Sequence, residues 1–358
     1  MQYRSLFWED VQVGQSLPPL NYELSLLRLV SFVRATGLYD YVHFDGSYAR
    51  SAGARDAFIS APHIAGLFSR LVTDWTGPLG ELRSLKTRIQ AQCCVGDMLA
   101  FAARVGRKYV TADGDHMVEL VDMNASHALA PSAACASATI RLPSRSGARA
   151  TGDALAPPEV DVLTDPPAPE EIRALIGVET EIKFGQGRPV SEAELHLWCE
   201  CLEDWNPVYW NHEYARASHW GGLIVPPAGR FFGVGSGTSM GVGYLKPGST
   251  TPEVLKRNVQ GHALMRELRE GMIRSNTPFA LPGYSEVAVV SSETHYVHWL
   301  RPGESTRTYA QIRGCSGLKK TKLGDGHFLT WTESVRSVQG ELKTMSTLTA
   351  LFYSAHTP

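Results

Sequence analysis

One stretch of this chain occurs twice at a constant offset. The first copy covers residues 38–50 and the second covers residues 204–216, and we call them the first motif and the second motif. Tyr214 follows Tyr48 by 166 positions (214 − 48), and the flanking residues keep the same spacing. A fixed offset between similar residues is the signature of an internal repeat. The sequence therefore predicts two copies of one folding unit, each with its functional residues in the motif.

A segment from Pro143 to about Pro169 divides the chain. It is rich in Ala, Pro, Gly and Ser and has no apolar periodicity, which is typical of a linker. The chain has 358 residues, of which 43% are hydrophobic and 20% charged, so each half can bury a core. We predict a first domain at residues 1–143, the linker at 144–170, and a second domain at 171–358 with a glycine-rich insertion at about 233–283.

Charge and cysteine usage exclude several classes of function. The formal net charge of −2 argues against nucleic-acid partners and anionic membrane surfaces. We find no signal peptide at the N-terminus and no apolar run of about 18 residues, so we expect a cytoplasmic protein with no membrane span. The six cysteines lack zinc spacings, so we expect no metal. Cys199 and Cys201 lie two apart on a predicted helix and face different sides, which argues against a thiol nucleophile.

Apolar spacing predicts three main helices. Ser25 is a good N-cap for a helix that ends near Gly37, and Ser191 with Glu194 forms a capping box for a helix that runs through Leu202. The strongest amphipathic pattern follows Pro62 and ends at Gly77-Pro78, which indicates a long buried helix.

The remaining periodicity is that of strands in an antiparallel meander that wraps the long helix. A first strand is expected at Phe7–Val11. The other predicted strands lie at residues 85–92, 98–105, 116–123, 134–142, 179–184, 286–296, 305–313, 327–338 and 342–353.

The motif residues suggest proton transfer. A carboxylate or amide followed by a histidine, just before a short helix, can activate a water or exchange a proton with a carbon next to a carbonyl. The long helix begins at Ser60-Ala61, with His63 in its first turn. Free backbone N–H groups at that terminus can hold a thioester oxygen as it gains negative charge. Hydration of a conjugated thioester needs both features.

The second motif and its surroundings closely resemble the MaoC-like (R)-specific enoyl-CoA hydratases and dehydratases. The resemblance lies in Leu202–Tyr209, Glu213–Ser218 and Gly221–Pro227, and more loosely in residues 35–37, 43–45 and 48–50. It implies an α+β fold, a fused double hotdog in which each antiparallel sheet wraps a long central helix. It also implies a CoA or acyl-carrier-protein thioester as substrate, with no cofactor and no metal.

Neither motif carries the whole catalytic pair that the resemblance implies. In the family an Asp five residues before the His shares the catalysis. The first motif has His43 but Leu38 at the Asp position, whereas the second has Asp204 and Asn206 but Tyr209 at the His position.

Three hypotheses follow from these departures. In the first, Asp40 replaces the missing carboxylate and works with His43. In the second, Asp204 works with a different acid: Tyr209, His212 or His219. In the third, the chain is a thioesterase, another lyase, or a partner-dependent subunit with degenerate pairs. We predict a hydro-lyase that adds or removes water across the 2,3-double bond of an enoyl thioester.

Several candidate residues also have a purely structural interpretation. Ser60 can simply start a helix, His63 can be packed, Asn206 can hold its loop, and Tyr209 can fill space. The run Gly233–Gly237 lacks the features of a phosphate loop and favours a loosened second central helix, which would widen the pocket for a bulky acyl group such as a sterol fragment. Exposed sheet edges favour a homodimer or a larger homo-oligomer.

Overall fold

The computed structural model describes residues 3–36, 41–51, 53–146, 170–182, 189–229, 281, 284 and 286–355. Leu38, Asp40, most of the predicted linker and most of the predicted glycine-rich insertion, including Gly233–Gly237, lie outside the described residues. No helix in the described part of the chain is long and apolar enough to span a membrane.

The described chain forms six helices and eleven strands. The helices are α1 (Leu26–Thr36), α2 (Gly46–Ser51), α3 (Ala61–Thr76), α4 (Glu170–Arg173), α5 (Glu192–Leu202) and α6 (His212–Ala217). The strands are β1 (Leu20–Glu23), β2 (Glu81–Ile89), β3 (Met98–Val110), β4 (His116–His127), β5 (Ala130–Arg141), β6 (Glu179–Ile182), β7 (Glu286–Tyr296), β8 (Thr306–Cys315), β9 (Lys319–Lys320), β10 (Gly324–Ser337) and β11 (Leu342–Ala355).

All strands belong to one antiparallel sheet that both halves share. Its order is β1-β3-β4-β5-β2-β7-β11-β10-β8-β6, with β9 paired to β10. The halves join where β2 pairs with β7, with Ser84 opposite His295 and Arg88 opposite Ser291. The helix α3 packs on the first half of the sheet, and its buried face includes Leu67, Phe68 and Leu71.

Most predicted elements are confirmed, and one is wrong. The three main helices are α1, α3 and α5, and the capping box of Ser191 and Glu194 is present. The predicted first strand at Phe7–Val11 is instead a single 3-10 turn at Trp8–Asp10. The turn closes because the Asp10 carboxylate accepts the Phe7 N–H at 3.1 Å. The first strand, β1, begins only after Pro18-Pro19.

The repeat seen in the sequence is also present in the backbone hydrogen bonds. The Phe58 N–H donates to the Val42 carbonyl at 3.1 Å, and the Ile224 N–H donates to the Val208 carbonyl at 3.1 Å. Each residue of the second pair follows its counterpart by 166 positions (224 − 58 and 208 − 42). The two motifs therefore have matching local folds.

A second repeated contact locates the extra residues of the second half. The Gly96 N–H donates to the Leu24 carbonyl at 2.8 Å, and the Gly303 N–H donates to the Val190 carbonyl at 2.9 Å. Val190 follows Leu24 by 166 positions (190 − 24), but Gly303 follows Gly96 by 207 (303 − 96). The second half therefore carries 41 additional residues (207 − 166) between Ile224 and Gly303.

Candidate active site

The first motif folds as a 3-10 turn, Tyr41–His43, followed by α2. Asp45 caps α2, because its carboxylate accepts the Tyr48 N–H at 3.0 Å. In the second motif Asn211 accepts the Tyr214 N–H at the same distance, 3.0 Å. Asp45 therefore orients α2, and the cap fixes the turn that carries His43.

The His43 side chain is held by the backbone of the segment that leads into α3. Its Nδ1 atom lies 2.8 Å from the carbonyl oxygen of Phe58. A carbonyl oxygen only accepts hydrogen bonds, so Nδ1 carries the proton and Nε2 of the neutral ring carries the lone pair. His43 is 8% exposed. This arrangement gives the first motif a fixed imidazole that can accept a proton at Nε2.

The N-terminus of α3 offers fewer backbone donors than the sequence suggested. Ser60 is the N-cap, and its hydroxyl accepts the His63 N–H at 3.4 Å. Pro62 has no N–H. Among the described residues, Ala61 therefore brings the one N–H of the first three helical residues that has no recorded acceptor. The positive end of the α3 dipole also favours negative charge at this position.

His63 is a packed histidine. It is fully buried and stacks on the ring of Phe32, with centroids 4.1 Å apart and an interplanar angle of 8°. Its Nε2 lies 3.1 Å from the Tyr22 hydroxyl, which donates to the Cys201 carbonyl at 2.8 Å. Burial, together with the neighbouring His43, lowers the pKa of His63 to about 3. His63 is therefore neutral near pH 7 and does not serve as an acid there.

Asp204 of the second motif is buried against the last turn of α3. Its two carboxylate oxygens lie 3.3 and 3.4 Å from the Thr73 hydroxyl, and one accepts the Asn206 N–H at 3.5 Å. Asp204 is 1% exposed. Burial raises its pKa to about 7, and the negative charge of Asp74 contributes. None of its recorded hydrogen-bond partners among the described residues is an imidazole.

The two other candidates of the second motif have structural positions. Asn206 caps the following turn, because its side chain accepts the Val208 N–H at 3.3 Å. Tyr209 is 2% exposed and packs with Val208, Trp220 and Ile224. Burial raises the pKa of Tyr209 well above its ordinary value, with Asp204 adding to the shift. Its hydroxyl stays protonated at neutral pH.

The alternative histidines contact other residues. His212 lies on the surface, where its Nε2 is 2.9 Å from a carboxylate oxygen of Glu192. His219 lies against Trp220, with ring centroids 4.2 Å apart. Loss of hydration lowers the pKa of His219 to about 4, and the charge of Arg141 contributes. Neither imidazole is a recorded partner of Asp204.

The two motifs approach α3 at opposite ends. His43 is bonded just before the N-cap Ser60, whereas Asp204 contacts Thr73 in the last turn. Thirteen residues at 1.5 Å per residue separate Ser60 from Thr73 by roughly 20 Å. His43 and Asp204 therefore do not form one catalytic pair. The partner proposed for His43, Asp40, lies outside the described residues.

Two residues of the first half hold residues 202–204, and neither was a candidate in the sequence. Arg70 donates through Nη1 to the Leu202 carbonyl at 2.7 Å and to the Glu203 carboxylate at 3.1 Å. Thr73 contacts Asp204. These contacts join residues more than 130 positions apart in the sequence. Helical periodicity places Arg70 and Thr73 on α3 but does not indicate such distant partners.

The two cysteines of α5 are buried in different clusters. Cys199 packs with Tyr209 and Trp220, and Cys201 lies in the main core. Burial raises the pKa of both thiols, that of Cys201 to about 12. The thiolate needed for nucleophilic attack is therefore disfavoured. Among the described residues no group of three His, Cys, Asp or Glu side chains is placed to hold a metal ion.

Comparison with known proteins identifies the family. No family model matches the chain. The beta subunit of 3-oxo-4,17-pregnadiene-20-carboxyl-CoA hydratase from Mycobacterium tuberculosis is 32% identical over 93 residues, which cover 72% of that subunit and 26% of this chain. This chain belongs to the MaoC-like dehydratase and enoyl-CoA hydratase family.

Two alpha subunits are also similar to this MaoC-like protein. A probable enoyl-CoA hydratase alpha subunit from Thermomonospora curvata is 28% identical over 154 residues, which are 43% of this chain and 42% of the relative. The alpha subunit of the M. tuberculosis pregnadiene-carboxyl-CoA hydratase is 28% identical over 141 residues, 39% of this chain and 38% of the relative. The matched regions thus span about two fifths of these alpha subunits.

Solved structures share the MaoC-like fold along nearly the whole chain. A MaoC domain dehydratase from Chloroflexus aurantiacus superimposes with a TM-score of 0.63 at 13% identity, covering 98% of both chains. A double-hotdog protein from M. tuberculosis superimposes with a TM-score of 0.60 at 14% identity, covering 98% of this chain and 99% of that one. The predicted α+β double hotdog fold is confirmed.

Proposed function

We propose that this MaoC-like chain is a hydro-lyase that adds or removes water across the 2,3-double bond of an enoyl-CoA thioester, and that its working site is the first motif. In this proposal His43 transfers the proton of the attacking water and Asp40 is its acidic partner. The family membership supports the proposed reaction class. The placement in the first motif is supported by the geometry of His43.

The observation that carries this proposal is the hydrogen bond from His43 to Phe58. At 2.8 Å, the Nδ1–H bond to the Phe58 carbonyl fixes the tautomer and orients Nε2 as the base. No corresponding imidazole exists in the second motif, where Tyr209 occupies the equivalent position and keeps its hydroxyl proton. A general base needs a lone pair on a side chain held in position, and the hydrogen bond to Phe58 holds the His43 ring in this way.

The proposed reaction uses the end of α3 as well. In hydration, water adds its oxygen to C3 while Nε2 of His43 takes the proton that the water loses. His43 then transfers this proton to C2 and returns to its starting state. Negative charge moves to the thioester oxygen during the addition. The Ala61 N–H and the dipole of α3 would stabilise that oxygen, next to Ser60 and His63. Dehydration is the same sequence in reverse.

For the acyl group we propose a bulky, polycyclic CoA ester. The support is that two of the similar proteins are subunits of a hydratase whose named substrate is a pregnadiene-carboxyl-CoA. The same relatives are named as alpha and beta subunits, so a requirement for a second chain is one outcome that the assay must register.

The test is a panel of enoyl-CoA esters, from short-chain to steroid-like, with the purified protein. Loss of the enoyl-thioester absorbance, formation of 3-hydroxyacyl-CoA and release of free CoA are measured together. We expect hydration that increases with acyl size, and no free CoA. Free CoA from a saturated ester would instead identify a thioesterase, and no reaction on any ester would identify a partner-dependent subunit.

Two variants locate the site. His43→Ala should lower the hydration rate about 100-fold or more, because proton transfer by a positioned side chain contributes that much. His196→Ala is the matched control, because His196 is exposed on α5 and lies in neither motif. Hydration that survives His43→Ala would move the working site to the second motif.

A further inference from the structure

Three groups of the first half converge on one carboxylate oxygen, Oδ2 of Asp97. The Cys94 N–H donates to it at 2.7 Å, and Nη2 of Arg55 donates to it at 2.6 Å. Nδ1 of His127 lies 3.6 Å away, and the His127 side chain is 3% exposed. The Asp97 side chain is 9% exposed, so this oxygen is held by the protein and largely screened from water.

Asp97 closes the turn that leads into β3. Its backbone N–H donates to the Cys94 carbonyl at 3.0 Å, while its carboxylate accepts the Cys94 N–H. The chain between the two residues includes Gly96, which has a φ of +92°. A hydrogen bond to an ionised carboxylate is about twice as strong as a neutral one. The conformation of this turn therefore depends on the Asp97 side chain.

The turn in its place holds the segment that precedes α3. The Ile59 N–H donates to the Cys93 carbonyl at 3.0 Å, and the Val95 N–H donates to the Ala57 carbonyl at 2.9 Å. These two hydrogen bonds lie on either side of Phe58. The Phe58 peptide group can therefore shift only if one of them breaks.

Phe58 is the residue that orients the candidate base. It forms an antiparallel bridge with Cys94, and its carbonyl accepts the Nδ1–H of His43 at 2.8 Å. Arg55 lies three residues before Phe58, so its ion pair with Asp97 is a second link between the turn and this segment. Asp97 is thus connected to His43 through the backbone of Phe58.

The same pair of hydrogen bonds occurs in the second half. The Glu304 N–H donates to the Arg301 carbonyl at 3.2 Å, and a Glu304 carboxylate oxygen accepts the Arg301 N–H at 2.9 Å. Arg301 and Glu304 follow Cys94 and Asp97 by 207 positions (301 − 94 and 304 − 97). Glutamate can therefore close this turn as well as aspartate.

We propose that Asp97 is a positioning residue for His43 and that Arg55 assists it. This inference rests on the proposed function, because it concerns the base of that reaction. Asp97 closes the turn that fixes the Phe58 carbonyl, and this carbonyl keeps the His43 proton on Nδ1. A neutral imidazole carries its proton on either nitrogen. With the carbonyl fixed, the lone pair stays on Nε2, where the proposed reaction needs it.

The first test determines the tautomer of His43 by nitrogen NMR of protein that contains isotope-labelled histidine. Spectra are recorded at about pH 8, where an ordinary histidine is neutral, and His43→Ala identifies the signals. We expect the Nδ1–H form in wild type and Asp97→Glu, and a mixture of both tautomers in Asp97→Ala. Pure Nδ1–H in Asp97→Ala, or Nε2–H in wild type, would overturn the inference.

The second test measures kcat and KM for enoyl-CoA hydration. A displaced base slows the chemical step but leaves the thioester contacts in place. Asp97→Ala should therefore lower kcat about 10- to 100-fold with little change in KM. Asp97→Glu should restore kcat, because Glu304 closes the equivalent turn. An equal kcat in wild type and Asp97→Ala would contradict the positioning role.

Two further variants keep the tests decisive if Asp97→Ala does not fold. Arg55→Gln breaks only the ion pair, and the Arg55 side chain is 45% exposed, so the fold should persist. It should lower kcat by a smaller factor, again with little change in KM. The matched control is Asp122→Asn, because Asp122 pairs with Arg104 on the surface. If Arg55→Gln kept the wild-type kcat as this control should, the inference would fail.

The NMR test also separates this inference from the proposed function. It needs no turnover, so it reports on the role of Asp97 whether or not the protein hydrates an enoyl-CoA. Absence of hydration by wild type would refute the proposed function alone. The tautomer of His43 in wild type and Asp97→Ala would then still decide whether Asp97 positions the ring.

Discussion

Gly66 of α3 lies directly against Leu202 of α5, so that a β-carbon built on Gly66 would stand 2.7 Å from the Leu202 Cδ1 atom. The ring of Trp198 would be the next neighbour, at 3.2 Å. The two halves therefore meet at a point where a hydrogen is the largest side chain that fits. This contact and the segment bound by Arg70 lie on the same pair of helices.

We expect Gly66→Ala to destabilise the protein by about 1–3 kcal/mol, because overpacking outweighs the gain of up to ~1 kcal/mol in helix propensity. Urea unfolding measures the change. Leu202→Val shortens the opposing side chain, so the double variant should lose less stability than the sum of the single changes. Additive losses would show that the two residues do not press on each other.

Loss of the buried Glu81 carboxylate should destabilise the protein much more than loss of an exposed carboxylate. It binds Arg83 at 2.9 Å and Arg141 at 2.8 Å, and all three side chains are at most 3% exposed. Glu81→Gln leaves two buried guanidinium groups short of one negative charge, and we expect a loss of about 3–5 kcal/mol.

The control for Glu81 is Glu293→Gln at the junction of β2 and β7. Glu293 pairs with Lys86 at 2.8 Å, but both side chains are exposed. An exposed pair contributes at most about 1 kcal/mol. Equal losses in the two variants, measured by denaturant unfolding at one pH, would contradict the assignment of Glu81 to a buried network.

His63 should make the protein sensitive to acid. Its pKa is lowered to about 3 in the folded protein, whereas an ordinary histidine titrates near 6.5. The unfolded state therefore binds more protons between these values, and stability should fall as pH drops from about 6.5. His63→Gln removes this effect, so its stability should change less between pH 7 and pH 5. If the difference in stability between His63→Gln and wild type were the same at pH 7 and pH 5, the acid sensitivity would not come from His63.

Local signals predicted most of the fold. The capping box at Ser191 and the apolar stripe after Pro62 depend on residues close in sequence, and both helices formed where they were expected. The repeat predicted matching motifs, which the paired hydrogen bonds of Phe58 and Ile224 confirm. The prediction of a first strand was wrong because the Asp10 side chain closes a turn. Apolar periodicity does not detect such a side-chain hydrogen bond.

The candidate site was harder to predict, because it depends on contacts between distant segments. The family resemblance marked Asp204 as a catalytic candidate. It could not predict that Asp204 faces the Thr73 hydroxyl, which lies 131 positions away in the sequence. The burial of His63 depends on Phe32 and Tyr22, which come from different elements. The pairing of Asp40 with His43 remains a prediction from the sequence.

The most direct test of the account is the rate of enoyl-CoA hydration by His43→Ala beside His196→Ala, on the best ester of the panel. We expect a fall of about 100-fold or more for His43→Ala, with its fold and acyl-CoA binding retained, and a wild-type rate for His196→Ala. A wild-type rate for His43→Ala would contradict the central claim that the first motif is the working site.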